Sequence, residues 1–244
     1  MRILFIRPII SERPDYLEEE IIKEFASKDT CIAARRLKYG PSSIENEYDL
    51  CYSAPFVVEE AIQGEKDGFD GIISYCFVNP GVDACREAVS IPCLGSGESS
   101  VAMALAVGRK IGIVTILPNI IPLIEKQNAE YIRAGKIVSV RSADVPVLSV
   151  YDNSDAALER LYVGSKKCIK EDGADVIVLG CTGFAGYAAI IQSRLETEGY
   201  FVSVLDPAGT SVRMMEAMIA CKARHGRNTY MAPVAKKMIL PEKN

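Results

Sequence analysis

The sequence contains one short phrase twice. DGFDGIISYCFVNPG, from Asp67 to Gly81, returns as DGADVIVLGCTGFAG, from Asp172 to Gly186. Asp67, Gly68, Asp70, Ile72, Cys76 and Gly81 recur as Asp172, Gly173, Asp175, Ile177, Cys181 and Gly186, all at an offset of 105 residues. In each copy an acidic, glycine-containing turn leads into a short apolar run that ends at a cysteine. A short continuous apolar run bounded by turn signals reads as a strand buried on both faces. The fold must therefore supply two equivalent places for the same strand and its cysteine.

The surrounding pattern repeats as well. Strands are expected at Arg2–Ile6, Thr30–Leu37, Gly71–Cys76 and around IPCLG in the first half. The second half has KIGIVTI, KIVSVRSA, DVIVLGC and YFVSVLD. Helical patterns fall between them: Pro14–Ser27, Tyr48–Asp67, Val82–Val89, the segment SSVAMALAVG closed by Gly108, a stretch from Pro118 to Ala134, Asp155–Asp172, Tyr187–Glu196 and Ser211–Ala223. Alternating strands and helices indicate an α/β protein with parallel sheets covered on both faces. The first strand of each half also meets a proline, in LFIRP and VTILP. The expectation is two pseudo-symmetric parallel-sheet lobes with the active site in the cleft between them, rather than one doubly wound sheet. Residues 1–95 with 207–244 would form the first lobe and 96–206 the second. The last helix would dock back on the first lobe, whose sheet otherwise has an uncovered face. The tail from His225, with Pro233 and Pro241, would be loose or pack as an arm.

Composition narrows the function classes. A net charge of −4 without a long basic run leaves no nucleic-acid footprint. The longest uncharged apolar piece, Ile111–Ile124, is too short for a bilayer span and carries two prolines. No N-terminal export pattern is visible, so a cytoplasmic location is expected. The eight cysteines contain no C-x-x-C pair and His225 is the one histidine, so reduced thiols are expected instead of disulfides or a zinc site.

Cys76 and Cys181 stand apart from the other thiols. In parallel α/β sheets ligands bind at the carboxyl ends of strands, where both lie by pattern. If the lobes face each other, the two thiols enter one cleft from opposite sides. Inverting a carbon acid needs a base on one face and an acid on the other. A thiolate and a thiol can exchange those roles. Each cysteine is followed by a turn and a helix, which is expected to lower its pKa. A coupled pair would hold one negative charge. The backbone N–H groups of Phe77, Val78, Thr182 and Gly183 are candidates for an oxyanion hole, or simple caps of the next helix.

At these residues the sequence resembles the hydantoin racemases of the aspartate/glutamate racemase superfamily. The resemblance is carried by GPSSIE (Gly40–Glu45), CFVNPGVDACREA (Cys76–Ala88), IVTILP (Ile113–Pro118), VIVLGCTGF (Val176–Phe184) and DPAGTSV (Asp206–Val212). It implies cofactor-independent racemisation of a small-molecule substrate, most simply a 5-substituted hydantoin, by Cys76 and Cys181 as acid/base pair. It further implies a substrate site lined by Ser43, Ile44, Phe77, Val78, Thr115, Thr182 and Gly183, no metal, and homo-oligomers of even order. Two departures fall near that site. The first strand ends in RPIIS where the family has an Asn-Pro-Asn-Thr-like turn, so Arg7 and Pro8 enter the substrate-site set. Asn79 stands where the family has an acidic residue before Pro80. Arg7 either points into the cleft, where it would bind an anionic substrate, or faces solvent or a neighbouring subunit.

Other signals are weaker. GSGESS (Gly95–Ser100) lacks the lysine of a phosphate loop and reads as a turn and helix start. The Glu18–Glu20 run reads as a solvated helix face. The competing activities are aspartate/glutamate-type racemisation and single-cysteine maleate isomerase-like or arylmalonate decarboxylase-like chemistry. A non-enzymatic small-molecule sensor would have no reason to keep both thiols.

Overall fold

A computed structural model of the protein describes residues 1–150 and 154–234. Pro241 and the rest of the tail beyond residue 234 lie outside the described residues. The first half runs β1 (Arg2–Arg7), α1 (Asp15–Lys23), β2 (Cys31–Arg36), α2 (Glu47–Lys66), β3 (Gly71–Ser74), α3 (Val82–Ala88), β4 (Cys93–Gly95) and α4 (Ser96–Val107). The second half runs β5 (Ile111–Thr115), α5 (Ile121–Gln127), α6 (Ala129–Arg133), β6 (Ile137–Ser142), α7 (Ser154–Asp172), β7 (Val176–Leu179), α8 (Tyr187–Thr197), β8 (Ser203–Leu205) and α9 (Pro207–Ala220). The expected single helix from Pro118 to Ala134 is broken. A 3-10 turn at Pro118–Ile120 precedes α5, and Asn128, whose amide bonds back to the Ile124 carbonyl, separates α5 from α6.

The strands form two sheets with matching orders, β2-β1-β3-β4 and β6-β5-β7-β8, and every pairing is parallel. In the first sheet successive residues of β1 point to opposite faces. Ile3 and Phe5 pack with Ile22 of α1 and with Val212 and Met215 of α9, while Leu4 and Ile6 pack with Val57 and Ala61 of α2. Both faces are covered, so the strand interiors are apolar throughout; β3 and β7 are buried at all positions.

The repeated phrase has a repeated structural job. Asp70 accepts the N–H of Arg2 at 2.7 Å, at the start of β1. Asp175 accepts the N–H groups of Arg109 and Lys110 at 2.9 and 2.8 Å, at the start of β5. Asp67 pairs with Arg35 of β2, and Asp172 with Arg141 of β6. Each lobe thus ties the chain entering its central strand to both neighbouring strands in the same way.

The helices that follow β4 and β8 cross over. Val101 and Ala104 of α4 belong to the core built on β5 and β7, whereas Ala208, Val212 and Met215 of α9 belong to the core built on β1 and β3. The two helices meet through a buried set of hydroxyls. Ser99 Oγ lies 3.1 Å from Ser211 Oγ, and Ser100 Oγ lies 2.8 Å from Thr210 Oγ1. These residues occupy equivalent places in SSV and TSV, so the contacts are related by the same approximate twofold as the sheets. Each hydroxyl also lies within bonding distance of a carbonyl of its own helix, that of Ser96 or Pro207, so in each pair one hydroxyl donates to the other and the acceptor donates to its own helix. Small side chains let the backbones approach, and the extra bonds leave no hydroxyl in this set unpaired.

Beyond α9 the chain packs as an arm. His225 Nε2 accepts the Cys93 N–H of edge strand β4 at 2.8 Å, and Arg227 donates to the carbonyls of Arg86, Glu87 and Val89. His225 is therefore a packing histidine, its pKa lowered by burial and by Arg86.

The glycines that close the repeated phrase give a test of the pseudo-symmetry and its limits. Gly81 (φ +71°) and Gly186 (φ +90°) both sit left-handed before a helix. An alanine Cβ at 81 would meet the Ala54 carbonyl oxygen at 2.9 Å, whereas at 186 it meets nothing within 4 Å. Gly186→Ala is expected to cost about 1–2 kcal/mol from backbone strain, and Gly81→Ala about 1–3 kcal/mol more from the clash. Urea unfolding midpoints check this; equal losses would contradict the packing described.

Candidate active site

The carboxyl ends of β3 and β7 open into one cavity of about 480 Å³. Its lining includes Cys76 and Cys181 together with Tyr75, Thr182 and Gly183 from the same two loops. The segment after β1 adds Arg7, Pro8, Ile9, Ser11, Glu12 and Arg13, α1 adds Glu18, the loop before α2 adds Ile44, and the loop after β6 adds Val147 and Leu148. Both lobes therefore contribute walls, and the two repeated cysteines share the floor.

Of the residues expected at a substrate site, Arg7, Pro8, Ile44, Thr182 and Gly183 line this cavity; Ser43, Phe77, Val78 and Thr115 do not. Phe77 and Val78 are buried in the second lobe's core, which anchors the Cys76 loop across the lobe boundary. Thr115 is fully buried, and its hydroxyl donates to the Gly180 carbonyl at 3.0 Å, immediately before Cys181. These residues support the cysteine loops from behind. Asn79 also faces away from the cavity. It is left-handed (φ +50°), and its side-chain oxygen accepts the N–H of Gly97 at 2.8 Å, capping α4. This departure lies near the pocket without lining it: the residue fixes the Cys76 loop to the crossing helix, where an amide oxygen serves as a cap.

The Glu18–Glu20 run is not a uniformly solvated face. Glu18 is 2% exposed and reaches the cavity, because it shares a helix face with buried Ile22 one turn on. Glu19 accepts the N–H of Ala34 on edge strand β2 at 2.9 Å, and only Glu20 of the three is exposed. Arg7 is 5% exposed and lines the cavity, but its guanidinium is engaged by Asp15 at 2.8 Å, the Arg13 carbonyl at 3.1 Å and Ser11 Oγ at 3.3 Å. Ile9, part of the departing RPIIS turn, lines the cavity as well, whereas sequence reading missed Ser11, Glu12, Arg13, Glu18, Tyr75, Val147 and Leu148. The spacing of Glu18 and Ile22 was the one available signal among these, since helix residues four apart share a face.

A family model described as Asp/Glu/Hydantoin racemase matches residues 16–215. The chain belongs to the Asp/Glu/hydantoin racemase family. It is 32% identical over 222 residues to a hydantoin racemase of Pseudomonas sp. (strain NS671), covering 91% of this chain and 87% of that one. It is 34% identical over 195 residues to a hydantoin racemase of Rhizobium meliloti, covering 79% and 78%. The solved structure of an allantoin racemase from Klebsiella pneumoniae superimposes with a TM-score of 0.91 at 29% identity, covering 99% of this chain and 97% of that one. The protein is an isomerase of the racemase type. No helix among the described residues is long and apolar enough to cross a membrane, and none of their His, Cys, Asp and Glu residues cluster to hold a metal ion.

Both thiols are held protonated at neutral pH. Burial pushes Cys76 up to about 11, partly offset by the N–H groups of Val78 and Phe77. Burial pushes Cys181 up to about 12, opposed by the Gly183 N–H at 3.4 Å and reinforced by Cys76, Glu18 and Glu45. The expected lowering by helix dipoles is corrected here. α3 begins six residues after Cys76 and α8 six after Cys181; Cys181 instead caps the short 3-10 turn Thr182–Phe184, and burial outweighs the N–H groups that face each sulfur. Three of the four candidate oxyanion donors thus face sulfur.

The same shifts predict how stability depends on pH. The folded protein also raises Cys85, to about 12, and Cys168, to about 11, both chiefly by burial. An unfolded thiol loses its proton near pH 8.5, roughly. Above that pH the folded state binds more protons than the unfolded state, so stability falls as pH rises. The melting temperature should be flat to about pH 8 and drop steadily from there to about pH 10; no change over that range would contradict thiols held neutral by burial.

Proposed function

We propose that the protein racemises 5-substituted hydantoins without a cofactor, using Cys76 and Cys181 as the acid/base pair. One sulfur, having lost its own proton to solvent, removes the proton from C5, which lies next to a ring carbonyl, and the other, still a thiol, gives its proton to the opposite face. The exchange inverts the centre and leaves the two sulfurs with reversed roles. The observation that carries this reading is that both repeat-related thiols, one from each lobe, line a single cavity. The lobes in this reading are residues 1–95 with 207–244 and residues 96–206, and they bring the two faces of the substrate to different sheets.

The printed activities of the relatives support the substrate class. Hydantoins and allantoin share a five-membered ring with a stereocentre beside a carbonyl. Charge in the cavity favours a neutral ring over a free amino acid. Arg7 is held by Asp15, and Arg13 lies 3.7 Å from the Glu18 carboxylate, so each cation already answers to an anion of the protein. A buried carboxylate near Cys181 also opposes binding of a second one. The aspartate/glutamate reading is therefore the weaker, and a single-cysteine reaction would leave one of the two lining thiols without a role.

The test is racemisation of single enantiomers of several 5-substituted hydantoins, and of aspartate and glutamate, in deuterated water. Loss of optical rotation should accompany deuterium entry at C5 with the hydantoins and not with the amino acids. Cys76→Ser and Cys181→Ser should each lower racemisation by about 10²–10⁴-fold, the usual size of an acid/base contribution. Turnover at the parent rate in either variant would reject the pair.

A further inference from the structure

A flat ring held between two sulfurs presents only its edge to the rest of the cavity. Ile9, Ile44, Val147 and Leu148 give one part of the wall no polar side-chain atom. Another part carries Arg13 and Glu18. Glu18 is 2% exposed and stands one turn before Ile22, which anchors α1 in the core of the first lobe. Its carboxylate lies 3.7 Å from Arg13 Nε. That is longer than a hydrogen bond, so the attraction is one of opposite charges and neither group is saturated by the other. Arg13 is held at its backbone. Its N–H donates to Ser11 Oγ at 3.1 Å, and its carbonyl accepts from the guanidinium groups of Arg7 at 3.1 Å and Arg36 at 3.0 Å. The wall thus sets a buried acceptor beside a donor. Glu12, the other carboxylate of the lining, is exposed.

We propose that Glu18 and Arg13 bind the substrate by its ring edge, Glu18 accepting the N3–H and Arg13 donating to a ring carbonyl beside it. The proposal rests on the hydantoin reading and adds which part of the ring is recognised. An N–H flanked by carbonyl groups is the chemical complement of a carboxylate flanked by a guanidinium, and hydrogen bonds to charged partners are the stronger ones. N3 has a carbonyl on each side, whereas N1 has one. N3 is also not bonded to C5, so a ring held at this edge leaves C5 clear for the sulfurs. Enantiomers differ only at C5 and share this edge, so one pair of side chains serves both directions of the reaction. The substrate class is then a five-membered cyclic ureide with an unsubstituted N–H between two carbonyls.

Unsubstituted hydantoin has no stereocentre, so calorimetry reads its binding to the full-length protein with no racemisation involved. The 1-methyl and 3-methyl derivatives add the same bulk, each at one ring nitrogen. The parent protein should bind hydantoin and 1-methylhydantoin with similar affinity, and 3-methylhydantoin about ten- to a hundredfold more weakly, the usual size of a lost hydrogen bond to a charged group. Glu18→Gln should weaken hydantoin binding and shrink the preference for a free N3–H, because an uncharged acceptor gains less from it. A loss at N1 as large as that at N3 in the parent, or an undiminished N3 preference in folded Glu18→Gln, would overturn the proposal. The three ligands decide the matter in the parent alone if the variant does not fold. Either contrary result would leave the racemisation test untouched, and a failure of the cysteine variants to lower racemisation would leave the N3 preference standing.

Discussion

Two parallel sheets can aim their strand ends at one small molecule only if something holds them facing each other. Here that constraint is the crossing of α4 and α9. Each is the helix that follows the last strand of one sheet and covers the core of the other. Where they cross, Ser99, Ser100, Thr210 and Ser211 pair across the approximate twofold. Each such bond is worth about 0.5–1.5 kcal/mol net, so the contact is more a register than a source of stability. It sets how the lobes sit, and the larger hydrophobic faces of both helices do the holding. Asn79 extends the register to the active site by joining the Cys76 loop to the first turn of α4.

The second governing effect is the competition between burial and hydrogen bonding at sulfur. The cysteine loops turn backbone N–H groups toward both thiols, which favours the thiolate. Burial opposes this and wins at both sulfurs. A thiol that is hard to ionise becomes a strong base once it does ionise, which suits abstraction of a weakly acidic C–H. The partly apolar cavity raises the basicity of the sulfurs. The cations of the cavity wall are matched within the protein, at Arg7–Asp15 and Arg13–Glu18.

Much of this was legible in the sequence because it is written in periodicity. The offset between the repeated phrases anticipated two pseudo-symmetric parallel-sheet lobes, and apolar runs placed strands and most helices to within a few residues. The cysteines could be located because they end runs that had to be strands. What periodicity cannot separate is which side of a buried segment faces a cavity and which faces core. Phe77, Val78 and Thr115 are as buried as cavity residues but support the loops from behind. Glu18 looked like part of a solvated run, and only its spacing from Ile22 marks the inward face of α1. The apolar rhythm of the last helix begins only at Ser211, and its true start is marked locally within DPAGTSV: Asp206 caps the helix through the Ala208 N–H and Pro207 opens its first turn.

The central claim is that one substrate carbon lies between two sulfurs supplied by different lobes. It is tested most directly by a crystal structure of the protein with a 5-substituted hydantoin bound. C5 should sit between Cys76 and Cys181, with the sulfurs on opposite faces of the ring, each about 3–3.5 Å from its hydrogen-bearing or hydrogen-receiving side. A ring bound with one sulfur remote, or with both sulfurs on the same face, would contradict it.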